Sequence, residues 1–227
     1  MSRMFPFITA TWNPIGGECL HNCKYCWAKQ LSKRYGHTKY QGKAKLYEKE
    51  LARVFQHKDF VFVCDMVDLF GSWVPKEMIQ RVLDQMLTSQ ATFLLLTKNP
   101  ARYLEFDLPK NCVAGATIET DYPLAVSSAP TPMDRLEAMR KLKHRKMISI
   151  EPVMIHSEQF KYMIAGAGPE FIAIGYDNYR NGLQEPFMGE VEDLIELVKE
   201  FGIVVYRKTI RDPQRPVTSY TQSGVEK

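Results

Sequence analysis

Asn13-Pro14-Ile15-Gly16-Gly17 followed by Cys19-Leu20-His21-Asn22-Cys23-Lys24-Tyr25-Cys26 is the stretch whose reading decides the fold. The three cysteines have the spacing C-x3-C-x2-C, and they follow directly on an apolar strand candidate, residues 5–11, and a glycine-bearing bend. Three thiolates this close can cap three irons of a cubane, which leaves the fourth iron without a protein ligand and open to an outside one. Short cysteine pairs also hold structural zinc, which wants four ligands. Cys64 and Cys112 stand alone inside other strand candidates, so His21 or His37 would have to complete a tetrahedron. His21 itself reads as an exposed loop residue.

Working outward, the 227 residues hold five cysteines, three of them crowded into eight positions, an arrangement that suits a metal site better than a disulfide framework. No run of eighteen apolar residues and no cleavable leader is visible, so a cytoplasmic protein with no membrane span is expected. The formal charge is +4, but residues 1–50 carry nine Lys or Arg against three acids. The basicity therefore gathers around the cysteines.

Apolar runs rich in β-branched and aromatic residues recur at 60–64, 92–97, 112–117, 147–150, 171–175 and 203–206. Helical stripes at 76–87, 132–142 and 190–201 lie between some of them, with Gly202 placed as a C-cap. This alternation predicts an α/β domain around a parallel sheet, either a barrel or an open doubly wound sheet. One domain over residues 1–211 and a polar tail over 212–227 are expected. Residues 36–45 read as a loop near the cysteines.

In a βα barrel the working residues gather at the C-terminal strand ends. That rule nominates Asp65 and Asp68, Thr97 and Lys98, Thr117 and Glu119, Glu151, Asp177 and Arg207. Pro152 keeps Glu151 extended, so its side chain should leave the strand end. The basic run 140–146 falls at the other end, as a solvated helix terminus. The basic residues between Lys24 and Lys49 flank the cysteine loop, and Arg207, Lys208, Arg211 and Arg215 leave the last strand on the same side, where positive charge would draw in anionic substrates.

The cysteine spacing, with aromatic Tyr25 just before the third cysteine, resembles the radical S-adenosylmethionine (SAM) superfamily. A closer likeness is to phage and prokaryotic radical-SAM-like proteins, carried by Trp12-Asn13-Pro14, Cys23-Lys-Tyr-Cys26-Trp-Ala28, Asp68-Leu69-Phe70, Leu96-Thr97-Lys98, Ser149-Ile150-Glu151-Pro152 and Tyr206-Arg207-Lys208. The chain departs from that family in its compact cysteine loop and in Gly175-Tyr-Asp-Asn178, where the family has Gly-Gly-Glu-Ser.

The resemblance implies a partial (β/α) TIM-type barrel of six to seven βα units, with Cys19, Cys23 and Cys26 holding a [4Fe–4S] cluster and SAM on its open iron. It further implies Tyr25 beside the adenine, Asp65 or Asp68 at the methionine amino group, and Thr117 or Glu119 at the ribose. Glu151 and Arg207 are the catalytic candidates. The implied partners are a small electron carrier of flavodoxin or ferredoxin type and an anionic substrate, whether nucleic acid, nucleotide or phosphorylated metabolite. Two rivals are a zinc-stabilised nucleic-acid-binding module and an electron shuttle with four protein ligands on its cluster.

Overall fold

In a computed structural model that describes residues 5–211, seven parallel strands line up in the order in which the chain makes them. The first is β1 (Ala10–Trp12), and the chain then forms a small excursion: β2 (Ile15–Gly16), the cysteine loop, α1 (Trp27–Tyr35), β3 (Lys45–Leu46) and α2 (Glu48–Leu51). Regular alternation resumes with β4 (Phe60–Val63), α3 (Lys76–Leu87), β5 (Thr92–Thr97) and β6 (Cys112–Thr117). It continues through α4 (Pro132–Lys141), β7 (Lys146–Ile150), α5 (Phe160–Gly166), β8 (Phe171–Ile174), α6 (Met188–Glu200) and β9 (Val204–Arg207). A doubly wound sheet reverses its strand order at a switch point. Here β1-β4-β5-β6-β7-β8-β9 runs without reversal, as in a barrel, and β1 does not pair with β9 to close it. The choice that the sequence left open is thus settled in favour of winding in one direction.

Period-2 alternation assigns each strand residue to one of two faces. On one face Val61, Val63, Phe93, Leu95, Ile148 and Ile172 pack with Ile79, Val82, Leu83 and Met86 of α3 and with Leu194, Ile195 and Val198 of α6. On the other, Phe62, Leu94, Val113, Met147 and Ala173 form a second cluster with Phe5 and Ile8. Both faces of the sheet are dry, which is why its strands read as nearly continuous apolar runs.

The first strand is shorter than expected. Phe5 and Ile8 are no part of β1. Instead they cover the N-terminal ends of the strands, with Phe7 stacked on Phe5 and touching Phe60, Phe171 and Tyr206 at centroid distances of 4.7–5.4 Å. An aromatic floor thus reads as strand in the sequence, because both call for apolar, β-favouring side chains. The three predicted helices appear within two residues of their expected ends, and Gly202 has the left-handed φ of +76°. Between β5 and β6 a 3-10 run, Pro100–Glu105, replaces a covering helix; Tyr103 is buried there and its hydroxyl donates to the carbonyls of Leu95 and Gly115.

The basic run at the α4–β7 turn serves the helix ends, as expected. Lys146 Nζ donates to the carbonyls of Ala167 and Met139, and Arg145 pairs with Glu170 at 3.1 Å. Residues 212–227, with Arg215 and the expected tail, lie outside the described residues. Among those described, no helix is long and apolar enough to cross a membrane.

Phe62 is 3% exposed and faces the aromatic floor. Phe62→Ala is expected to cost about 3–5 kcal/mol, because the floor cannot collapse into the space. Chemical denaturation measures it, and a cost under about 1 kcal/mol would contradict the packing described.

Candidate functional site

The cysteine loop is tied down at both ends by the chain around it. Gly16 and Gly17 let residues 36–45 lie against the bend: a Cβ on Gly16 would stand 2.3 Å from the carbonyl oxygen of Lys39, and Gly17 has a φ of +107°. Gly17 N and Glu18 N donate to the carbonyls of Lys39 and Gly42. The loop then runs into α1, whose N-cap is Cys26 and whose C-cap is left-handed Gly36. Cys19, Cys23 and Cys26 all line one cavity of about 270 Å³, with Asn22, Lys29, Tyr40 and Met66 in the same wall. The loop 36–45 therefore does reach the cysteines.

Each sulfur has a polar neighbour. Cys26 Sγ accepts from the backbone N–H of Lys29 at 3.3 Å, in the first turn of α1, where the helix dipole also favours negative charge. Cys23 Sγ lies 3.4 Å from Ser127 Oγ. Burial, and then the charge of Asp68, push the Cys19 thiol up to about 12, while hydrogen bonds from the backbone of His21 and Asp68 act the other way. Cys64 and Cys112 line no part of this cavity, and burial pushes each thiol up to about 12, as for inert core thiols.

His21, expected at the surface, is 4% exposed and its Nε2 lies 2.8 Å from Asp68 Oδ2. Asp68 also accepts from Thr97 Oγ1 at 2.7 and 2.9 Å and from the backbone N–H groups of Lys98 and Phe70, both at 2.9 Å. Burial alone would raise this carboxyl, but His21, and then the bonds from the Lys98 amide and Thr97, together outweigh it and hold Asp68 below the usual range. Asp65 has one side-chain partner, Asn13 Nδ2 at 2.5 Å, and its carboxyl is raised by burial against that bond and the nearby Lys39.

At the end of β6, Glu119 is 1% exposed and gathers three partners. The Tyr25 hydroxyl donates to its Oε1, Arg135 Nη1 reaches Oε2 at 2.8 Å, and Lys98 Nζ stands 3.6 Å away and 5.2 Å from the Tyr25 ring centroid. Burial works to raise Glu119; Arg135, then Lys98 and the Tyr25 hydroxyl, overcome it and leave its carboxyl below the usual range. Arg135 also donates to the carbonyl of Thr117 at 2.6 Å, so that Thr117, Glu119 and Tyr25 are held as one unit.

Glu151 and Lys208 meet at 2.5 Å at the ends of β7 and β9, and burial raises the Glu151 carboxyl despite Lys208 and Lys98. The Glu151–Pro152 peptide is cis. Arg207 is not brought to this group. It turns to the helix side and pairs with Glu192 of α6 at 2.5 Å, while the next residue, Lys208, faces inward. Asp177 accepts from the backbone of Tyr179 and Asn181 within its own loop.

Sequence reasoning misplaced His21 at the surface and missed Arg135, while Lys208 was read only as one of several cations on the cysteine side. A strict count of strand parity would have exchanged Arg207 for Lys208. Nothing local marks Arg135, which arrives from a helix.

Neither histidine joins the cysteines: His21 faces Asp68, and His37 is exposed. Among the described residues no three His, Cys, Asp or Glu groups stand close enough to hold one metal ion. A cubane asks for something different, since each cysteine takes a separate iron. Three sulfurs along one cavity wall, two of them receiving backbone N–H donors, fit that demand.

Residues 4–170 match the family of proteins of unknown function designated DUF5131, and the chain belongs to that family. No curated protein matches the sequence. Among solved structures, the chain is similar to the crystal structure of a radical SAM methyltransferase from Sphaerobacter thermophilus, with a TM-score of 0.51 and 12% identity over 91% of this chain and 67% of that one. At that identity the likeness is one of fold.

Arg135 and Glu119 are both almost wholly buried, so Arg135→Met is expected to cost about 3 kcal/mol near neutral pH by taking the nearest cation from a buried carboxylate. Glu119 has a folded pKa below its unfolded value of about 4.3, so its contribution is complete above that pH and is lost as the pH falls through the depressed value. Urea unfolding as a function of pH should therefore show a steeper acid limb for the native chain than for Glu119→Gln. Parallel limbs would show that this carboxylate is not held as described.

Proposed function

We propose that this chain is a radical SAM enzyme built on a partial (β/α) barrel, with Cys19, Cys23 and Cys26 as the protein ligands of a [4Fe–4S] cluster. The observation that carries the reading is that all three cysteines line one cavity, beyond the C-terminal end of the first strand of a sequentially wound parallel sheet. When bound, the cluster and SAM together supply a 5′-deoxyadenosyl radical able to abstract hydrogen from an unactivated carbon. The protein contributes binding, orientation and exclusion of water.

Tyr25, pinned through its hydroxyl to Glu119, offers a fixed ring face next to Cys26 for an adenine. Of the two carboxylates considered for the methionine amino group, Asp65 keeps acceptor capacity, whereas Asp68 is already filled by four donors. Thr117 and Glu119 stand at the end of β6 for ribose hydroxyls. Glu151 faces the interior as the group nearest in kind to a catalytic acid or base. Arg207, held by α6, has a structural role in this reading.

The electron must come from outside. Lys24, Lys29, Lys33, Arg34, Lys43 and Lys45 are exposed around the cysteine cavity and form no ion pair among the described residues. Cations elsewhere, such as Arg81, Lys141, Arg145 and Lys199, sit on glutamates. An unneutralised basic rim suits transient docking of a small acidic electron carrier of flavodoxin or ferredoxin type. The reduced thiols fit a cytoplasmic setting, and the six ordered sequence blocks support kinship with phage and prokaryotic radical-SAM-like proteins.

The test is anaerobic reconstitution with iron and sulfide, followed by reductant and SAM. The native chain should turn brown and release 5′-deoxyadenosine, and Cys23→Ala should do neither. One tightly held zinc on a colourless protein would replace this reading by the nucleic-acid-binding one. Arg34→Glu with Lys43→Glu, both outside the cavity wall, should slow turnover driven by an acidic carrier protein while leaving turnover driven by dithionite unchanged. Equal slowing with both reductants would count against docking on this rim.

A further inference from the structure

The inner face of the sheet changes character along its length. Near the strand starts it is the aromatic floor. Further along, the same parity brings Gly115 and Thr117 on β6, Ser149 and Glu151 on β7, Ala173 and Gly175 on β8, and Lys208 after β9. The side chains there are small, and a Cβ on Gly175 would stand 3.0 Å from the Cβ of Lys208, tighter than ordinary contact. Lys208 lies with its ammonium 4.6 Å from the Phe5 ring centroid and 2.5 Å from Glu151.

Radical generation, as read above, makes no use of this pair. A lysine and a glutamate taken largely out of water gain little net stability from each other, because desolvation offsets their attraction. Lys98 points into the same region. Its contact with Glu119 is 3.6 Å, whereas Arg135 and the Tyr25 hydroxyl hold that carboxylate closely, so the Lys98 ammonium is only loosely matched. Three cations, Lys98, Arg135 and Lys208, thus face two carboxylates, Glu119 and Glu151. The side chains of Lys98, Lys208 and Glu151 are 13–17% exposed, which leaves a small ligand a way to reach them.

We propose that Lys98 and Lys208 form an anion subsite at the C-terminal strand ends, with Glu151 as a resident counter-ion that a substrate phosphate or carboxylate displaces. Electrostatic influence on Glu151 from both lysines agrees with its place between them. The subsite deepens the enzyme reading, on which its biological meaning rests, but its existence needs neither cluster nor SAM. Lysine ammoniums act as compact point charges, suited to a group that must bind and leave.

Calorimetric titration of the full chain, without cluster, with inorganic phosphate and separately with acetate tests the proposal. Glu151→Gln should tighten binding of at least one of these anions by about tenfold, since no internal carboxylate then competes. Lys208→Met and Lys98→Met should each abolish the binding of that anion, and if one variant fails to fold the other carries the same expectation. Preference for phosphate would mark a phosphorylated substrate, and preference for acetate a carboxylated one. Unchanged affinity in Glu151→Gln, or equal binding by the native chain and the lysine variants, would overturn the subsite. A chain that binds the anion as described but releases no 5′-deoxyadenosine would instead fault the radical reading alone.

Discussion

The carboxylate of Asp68 is the knot on which the site depends. It stands just beyond β4, and it binds the side chain of His21 from the cysteine loop, the hydroxyl of Thr97 from the end of β5, and two backbone amides. A loop of eight residues with three cysteines would otherwise have no reason to hold one shape. Because Asp68 is buried, each missing donor would leave an unsatisfied lone pair, so the network favours a single arrangement over looser ones. Tyr25 makes a second attachment to Glu119, and Lys24 N a third to the carbonyl of Val126. The loop is thereby fixed to the segments that follow β4 and β6, and through Asp68 to the end of β5, so that it forms part of the sheet's rim.

Much of the fold was legible because parallel strands are dry on both faces. Runs such as 92–97 and 112–117 are apolar apart from threonines at their ends, and both strands occur as read. The direction of winding was not legible, since both architectures use the same βα unit. Phe5 and Ile8 misled for the same reason: nothing local distinguishes an apolar residue that lies across strand ends from one within a strand. α5, with only seven residues, was too short to declare a period.

The site was legible in its parts and less so in its partnerships. C-x3-C-x2-C can be read by spacing alone, and acids and hydroxyls at strand ends by position. Which carboxylate is spent on the protein's own donors requires contacts between distant segments, and in that respect Asp65 and Asp68, three residues apart, differ. Arg207 and Lys208 show the sensitivity of a period of two: one step along β9 separates a guanidinium bound to α6 from an ammonium in the interior.

The stacked rings of Phe5 and Phe7 beneath the strands have a consequence for traffic. Lys208, whose ammonium reaches down to Phe5, marks the end that those rings cover, so an anion held there as proposed would be the guest lying farthest from the strand-end rim.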